Sequence, residues 1–289
     1  MAAVDFFQKR GYEGIKIYNS VKPELVPILA KEAHARGMQV TGHIPVHMLA
    51  NEAVRAGYDG IEHINMLFLN FLADHDTDTR TPLRFTVVGD KAAGLDLKSK
   101  PVQDFFGLLK EKKTIVDPTV AVFEELLVSQ PGKVTPGLES LVARLPAQTQ
   151  RWFLGGGVPF EGKEQLYKDS FEKVLAMIKA LYDQKITLVT GTDSGLHGLA
   201  LHHELALFVR AGIPAAVVLR MATLDAAKTL KLDFKTGSIA ENKAADLFLV
   251  DGDPLAKIED VGKIVSVMRS GVVYASAPVY DASGVKPLR

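Results

Sequence analysis

Cysteine is absent from all 289 residues of the chain. Its absence excludes disulfides, thiolate metal sites and cysteine nucleophiles, so any metal ion must be bound by nitrogen and oxygen ligands. A net charge is lacking too, because 34 Lys and Arg residues balance 34 Asp and Glu residues. This balance gives no electrostatic reason to expect nucleic acid or an anionic membrane surface as a partner.

Long apolar runs are also missing, although 47% of the residues are hydrophobic, enough for one or two globular domains. No segment approaches the roughly 20 apolar residues that span a bilayer, and the first residues are too polar for a signal peptide. We therefore expect a soluble, cytoplasmic protein with no membrane and no nucleic acid as partner. The GxSxG, P-loop and HExxH motifs are absent as well.

Strands and helices alternate along much of the chain. Short β-branched runs at 14–18, 38–45 and 58–66 are separated by segments with helical periodicity, and further strands are predicted at 113–118 and 186–195. Short strands joined by helices favour parallel pairing with right-handed crossovers. The sequence therefore predicts an α/β fold.

Two segments interrupt this alternation, and the end of the chain departs from it. Residues 67–113 include a polar, turn-rich stretch, and residues 124–165 are rich in Gly and Pro. Insertions of this length after strands are commonly lids or binding loops. Residues 236–289 contain two β runs with no helix between them, too short for an independent sandwich. We predict a domain at 1–235 and a small β appendage at 236–289.

Polar residues lie within or just after four of the predicted strands: Lys16, His43, His63 and Asp193. In barrels of alternating strands and helices, catalytic groups gather at that end of the strands. His43 and His63 are 20 residues apart, one strand–helix repeat. Adjacent parallel strands lie about 4.8 Å apart. Two imidazoles at that separation can share one metal ion. Alternatively, each is a hydrogen-bonded histidine near a strand end.

Lys16 and Asp193 each have two interpretations. Lys16 lies in an otherwise apolar strand, where a buried lysine is costly unless it is paired or modified. It either reaches an acidic partner such as Glu62 or reacts with CO₂ to form a carbamate, an anionic oxygen ligand. Asp193 either makes local hydrogen bonds in a turn, or binds the metal and acts as the general base toward its water.

Three further residues are predicted to contact a small-molecule substrate: His197, Tyr18 and Phe123. His197 follows Asp193 closely, although the histidines after it open an evident helix, where a surface or capping role is the alternative. Phe123 would line a pocket beneath the second insertion. Packing under that loop is the alternative for Phe123.

Together these segments resemble the metal-dependent amidohydrolase superfamily, in the branch of prolidase-like and imidazolonepropionase-like enzymes. GIKIY resembles the fourth barrel strand, whose lysine, here Lys16, is carbamylated and bridges two metals. VTGHIP resembles the fifth strand with metal ligand His43, and GIEHIN the sixth with ligand His63. LVTGTDSG resembles the eighth, with Asp193 as ligand and base.

The remaining segments extend the resemblance over most of the chain. TIVDPT is similar to the seventh strand of the family, and residues 236–289 to the returning part of its β-sandwich. The family also has an HxH pair at the end of barrel strand one, and this chain contains no HxH. The resemblance therefore implies an incomplete (β/α)8 TIM-type barrel that contains strands four to eight. Exposed apolar strand edges would follow. We expect a homo-oligomer, a dimer, or a separately encoded front half to cover them.

The resemblance implies a hydrolase with one divalent metal ion per site, Zn²⁺, whose activated water attacks amide or peptide bonds of small substrates. Esters, lactones and phosphotriesters are further substrate classes of this phosphotriesterase-like chemistry. Without the HxH ligands the second metal would be lost, which would weaken carbamate formation at Lys16. The two alternatives are a non-catalytic remnant and one subunit of a split amidohydrolase.

Overall fold

The chain folds into two compact units. The computed structural model describes residues 2–135, 137–159, 161–196 and 198–288. The first unit comprises Met1–Val120 with Val158–Leu188, and the second comprises Ala121–Gly157 with Val189–Arg289. Each unit is therefore discontinuous in sequence. The predicted domain boundary at residue 235 separates a barrel part from a β appendage and stays a prediction.

Helices contain more residues of the described chain than strands do. In chain order they are α1 (Ala2–Gln8), α2 (Val26–His34), α3 (Ala50–Arg55), α4 (Ile64–Leu72), α5 (Leu83–Lys91), α6 (Lys100–Lys112), α7 (Val120–Val128), α8 (Glu139–Val142), α9 (Ala147–Trp152), α10 (Glu164–Asp183), α11 (Leu199–Arg210), α12 (Ala215–Arg220), α13 (Ala226–Thr229) and α14 (Ser276–Ser283). Short 3₁₀ turns occupy Pro23–Leu25, Ala92–Gly94 and Ile258–Gly262, and a single π turn at Met221–Asp225 joins α12 to α13. Among these helices none is long and apolar enough to serve as a membrane span. The cytoplasmic location stays a prediction.

The strands of the first unit are all parallel. They are β1 (Gly14–Ile17), β2 (Gln39–Gly42), β3 (Gly60–Glu62), β4 (Ile115–Asp117) and β5 (Thr187–Leu188). β1 pairs with β2, β3 with β4, and β4 with β5. Between β2 and β3 the backbone N–H of Asp59 donates to the carbonyl of Val40 at 2.8 Å. The predicted α/β alternation with parallel pairing is confirmed.

Apolar residues of these strands and of the covering helices form the core of the first unit. Val40, Ile61 and Val116 come from three neighbouring strands and are completely buried. Strands covered by helices have few solvated positions, which explains why their sequences are continuous apolar runs. α10 contributes buried side chains at helical spacing, including Phe171 and Val174.

The first predicted insertion is largely helical. The end of α4 and the helices α5 and α6 occupy most of residues 67–113. The polar stretch between α4 and α5 is fixed locally, because Asp78 accepts hydrogen bonds from the guanidinium of Arg80. This interaction with Arg80 also lowers the pKa of Asp78 to about 2.

The second unit ends in a small antiparallel sheet. Its strands are β6 (Leu247–Val250), β7 (Ile264–Arg269) and β8 (Val272–Ala275), with β7 in the middle. The second of the two predicted β runs is thus a hairpin, whose turn residues Ser270 and Gly271 both have positive φ, as a two-residue primed turn requires. Apolar side chains of this sheet are exposed, among them Leu249 and Val273 at 59% each.

Candidate metal centre

His43 and His63 occupy equivalent places at the ends of two parallel strands. The backbone N–H of His43, after β2, donates to the carbonyl of Ile17 at 2.9 Å, and that of His63, after β3, donates to the carbonyl of Asp117 at 2.7 Å. Each histidine is therefore tied to the strand beside its own. The two ring centroids lie 4.3 Å apart, so the structure brings the two predicted ligands together.

Unusual backbone conformations accompany both histidines. Gly42 has φ 130°, and a Cβ at this position would lie 2.1 Å from the carbonyl oxygen of Ile17, so only glycine fits before His43. His63 itself has φ 72° and ψ 121° and directly precedes α4. A non-glycine residue held in a sparsely populated region costs about 1–3 kcal/mol and persists only where its surroundings fix it. Such strain clusters at functional sites.

Glu62 joins the two histidines to form a group that could bind a metal ion. Within the described part of the chain, ligand atoms of His43, Glu62 and His63 all lie within 4.8 Å of one another. The Glu62 side chain is largely buried, and its Oε1 accepts a hydrogen bond from Thr41 Oγ1 at 3.0 Å. Two imidazoles and one carboxylate are a ligand set typical of catalytic zinc sites.

Glu62 was predicted only as a partner of Lys16. Strand alternation sends neighbouring side chains to opposite faces, which argues against Glu62 and His63 meeting at one place. The positive φ of His63 interrupts that alternation. The sequence around His63 contains no residue that predicts a positive φ at this position.

The His43 imidazole is neutral over most of the accessible pH range. Burial, together with the smaller effects of the nearby His63, Lys16 and Arg84, lowers its pKa to about 3. Its Nδ1 atom is buried and has no hydrogen-bond partner among the described residues. A buried polar atom without a partner costs about 1–3 kcal/mol. A neutral imidazole with an available nitrogen is the form that binds a metal, so this residue fits the ligand role.

Buried hydroxyl groups fix the positions of both histidines. Thr119 Oγ1 lies 2.9 Å from His63 Nδ1, in a buried hydrogen bond. Tyr58 donates its hydroxyl to the carbonyl oxygen of His43 at 2.7 Å, and burial raises the pKa of Tyr58. Partners of this kind orient metal-binding histidines and select their tautomer. Neither contact is predictable from the sequence, because the two hydroxyl groups come from residues that lie 56 and 15 positions away from the histidines along the chain.

Lys16 corrects one expectation. The sequence predicts a buried lysine, but the Lys16 side chain is 50% exposed. β1 pairs with β2 along one edge, and among the described strands none pairs with its other edge. The Lys16 side chain is therefore exposed although its neighbours in β1 are apolar. Lys16 Nζ makes an ion pair with Glu62 Oε2, which is the unmodified alternative given above.

The other predicted site residues lie in different surroundings. Tyr18 is half exposed, and its ring centroid lies 4.2 Å from that of His43. Phe123 is buried in α7 of the second unit, which fits the packing alternative. Asp193 also belongs to the second unit, where it is exposed with φ 47° in the loop after β5. His197 lies outside the described residues.

A family model matches part of the chain. Residues 157–274 match the model of the amidohydrolase family. The resemblance inferred from the sequence is thereby confirmed, and a comparison with curated proteins finds no match.

Solved structures show the amidohydrolase fold over nearly the whole chain. A bottromycin amidohydrolase is 20% identical with a TM-score of 0.66, over 99% of this chain and 63% of its own. A Xaa-Pro dipeptidase with methionine bound in its active site is 22% identical with a TM-score of 0.60, over 95% of this chain and 57% of its own. A prolidase in complex with N-methylphosphonate-L-proline is 19% identical with a TM-score of 0.59, over the same two shares. The chain thus spans 57–63% of the length of these amidohydrolase-fold proteins, less than two thirds, which fits a partial barrel.

Proposed function

We propose that this protein is a metal-dependent hydrolase of amide or peptide bonds in small substrates. In this proposal a single divalent ion is bound by His43, Glu62 and His63. The observation that carries it is the convergence of these three side chains within 4.8 Å. The buried, unpartnered Nδ1 atom of His43 supports it further, because a ligand would satisfy that atom.

Zn²⁺ is the proposed ion. Catalytic zinc sites keep three protein ligands of this kind and an open position, and the chain has no cysteine that would favour a closed structural site. When bound, such an ion polarises the scissile carbonyl group and lowers the pKa of water toward neutrality.

The protein's own groups would prepare the ligands. With His63 Nδ1 donating to Thr119 Oγ1, the lone pair of the ring is on Nε2. Thr41 and Lys16 hold the two carboxylate oxygens of Glu62, each of which keeps a further lone pair for a metal ion. Lys16 acts here as a free ammonium group that positions Glu62. Its carbamylation, implied by the resemblance, stays a prediction.

Asp193 is proposed as the general base, and the resemblance alone supports this role. Tyr18 is the proposed substrate contact with the best support, because its half-exposed ring lies against His43. His197 and Phe123 stay predictions as substrate contacts.

Dipeptides that end in proline are the proposed first substrates. The Xaa-Pro dipeptidase and the prolidase with a proline phosphonate share this fold, which supports the choice. Esters, lactones and phosphotriesters are the second group to examine. Fold likeness gives an order in which to examine these classes and does not exclude any of them.

Hydrolysis of a panel of Xaa-Pro and Xaa-Ala dipeptides by the zinc-loaded full chain tests the proposal. We expect activity on at least one Xaa-Pro peptide in the wild type and background rates in His43→Ala and His63→Ala. His75→Ala is the matched control, because His75 is an exposed histidine of the first unit that pairs with Glu52. Equal rates above background in wild type and His43→Ala would contradict the proposed site, and background rates in the wild type would favour a non-catalytic remnant.

We also propose that a second copy of the chain covers the exposed apolar sheet surface of β6 and β8. Apolar patches of this kind on folded proteins commonly mark interaction sites. A monomer by light scattering at working concentrations would contradict the homodimer. Activity that appears only on mixing with a front-half chain would favour the split-hydrolase alternative.

A further inference from the structure

The second unit contains a cavity that the proposed hydrolase chemistry does not use. Its volume is about 240 Å³, and its lining includes residues of α8, α11 and the 3₁₀ turn at Ile258–Gly262. The lining combines apolar side chains with two arginines, two histidines and two glutamates. A concave space with a few converging polar groups is typical of a small-molecule site.

Arg144 is the key residue of this cavity. The residue is only 8% exposed. Its Nε donates to the carbonyl of Lys286 at 2.7 Å, and the Lys286 N–H donates to the carbonyl of Arg144 at 2.8 Å. These contacts hold the side chain in place. Its Nη2 atom is buried and finds no hydrogen-bond partner in the part of the chain that the structure describes.

A buried guanidinium group requires a counter-ion. Arginine stays protonated at all relevant pH values, and an uncompensated buried charge costs several kcal/mol. Glu124, the buried carboxylate in the lining, is already engaged, because His203 contacts its Oε2 and Arg210 donates to its Oε1 at 3.1 Å. The Tyr280 ring, whose centroid lies 5.9 Å from the guanidinium carbon of Arg144, carries no charge. Among the described residues the charge of Arg144 is therefore available to an anion from solution.

Gly262 keeps the space beside Arg144 open. A Cβ at this position would lie 3.3 Å from His202 Nδ1 and 3.9 Å from Arg144 Nη1, so the imidazole and the guanidinium border the same place. Burial, with a further contribution from Arg144, lowers the pKa of His202. His202 is consequently a neutral group that can donate or accept one hydrogen bond beside the guanidinium.

We propose that this cavity binds a small monocarboxylate with an apolar body. The guanidinium of Arg144 would bind the carboxylate, because its planar donors match that geometry. A single negative charge suits the site, since Glu124 and Glu259 in the lining repel a second one. The apolar body would lie against Leu141, Leu207 and Leu288.

Calorimetric titration of the full chain with hexanoate tests this proposal. We expect hexanoate to bind saturably and its neutral counterpart hexanamide not to bind. Inorganic phosphate should bind more weakly than hexanoate. Arg144→Gln should weaken hexanoate binding at least about tenfold, the size expected for loss of a charge-assisted hydrogen bond. Ala206→Phe should abolish binding by filling the cavity, while Arg144 remains in place.

Arg220→Gln is the matched control for the arginine substitution. Arg220 lies in the same unit, is exposed and pairs with Asp225, so its substitution should leave hexanoate binding unchanged. Should Arg144→Gln fail to fold, Ala206→Phe still decides the matter. No saturable binding to the wild type, equal binding of hexanamide, tighter binding of phosphate, or full binding by Ala206→Phe would each overturn the proposal.

Discussion

The parallel strand ends of the first unit and the antiparallel sheet of the second depart from ordinary burial in opposite ways. At the strand ends, His43 and His63 are buried although they are polar. In the sheet, Phe248, Val273 and Tyr274 are about half exposed although they are apolar. A buried polar group and an exposed apolar patch are the informative exceptions in a folded protein. The first points to a bound ion, and the second points to a partner surface.

The largest expected effect is a loss of stability from a glycine substitution at the strand ends of the first unit. Gly42→Ala forces a Cβ to within 2.1 Å of the Ile17 carbonyl at φ 130°, so we expect the free energy of unfolding to fall by about 3 kcal/mol or more. Denaturant unfolding measures the change. Gly94→Ala is the control, because a Cβ there meets nothing within 4 Å. Similar losses for both variants would show that the backbone at His43 is not constrained.

A substitution of Thr119 should weaken metal binding without removing a ligand. Thr119→Val keeps the branched shape but removes the hydroxyl that bonds to His63 Nδ1, so we expect zinc affinity to fall about 10–100-fold. Thr119→Ser keeps the hydroxyl and should stay close to the wild type. Competition with a chromophoric chelator measures both affinities. Equal affinity of the Val and Ser variants would exclude an orienting role.

Acid should destabilise the metal-free protein through His43. Because the pKa of this histidine falls from 6.5 in the unfolded chain to about 3 in the folded one, the unfolded state binds more protons between these values. The contribution to stability is complete above pH 6.5 and is lost as the pH falls toward 3. Between pH 7 and about pH 5.5 the free energy of unfolding should fall by about 1 kcal/mol through this histidine. Denaturant unfolding of wild type and His43→Gln at both pH values measures the loss. The same pH dependence of stability in both proteins would contradict the prediction.

The smallest effect on stability should come from the exposed sheet. Val273→Thr changes a side chain that is 59% exposed, so the free energy of unfolding of the single chain should change by no more than about 0.5 kcal/mol. Self-association should nevertheless weaken if a second copy covers this surface. Sedimentation measures the association. A dimer of unchanged strength would place the interface elsewhere.

The strand ends could be predicted because their signals are local. Apolar β-branched runs before His43 and His63 predict two strands with parallel neighbours, and in the structure each of these strands has a parallel neighbour. Glu62 was missed as a member of the group because the φ of His63 depends on contacts with the chain beyond β4. Lys16 was wrongly predicted to be buried because strand sequence does not say whether the next strand covers it.

The cavity of the second unit could not be predicted at all. It depends on the contact of Arg144 with Lys286, which lie 142 residues apart. Neither residue belongs to a motif, and an isolated arginine in a turn after a short helix is typical of a solvated surface. Its burial becomes visible only when the tertiary contacts are known.

The binding of a metal ion by His43, Glu62 and His63 is the central claim, and elemental analysis after equilibration with Zn²⁺ and exhaustive dialysis tests it most directly. The account predicts a single retained zinc ion per wild-type chain and per His75→Ala chain, and loss of that ion in His43→Ala and His63→Ala. Glu62→Gln should retain markedly less zinc than the wild type. A wild-type protein without stoichiometric zinc, or a His43→Ala variant that retains as much as the wild type, would contradict the account.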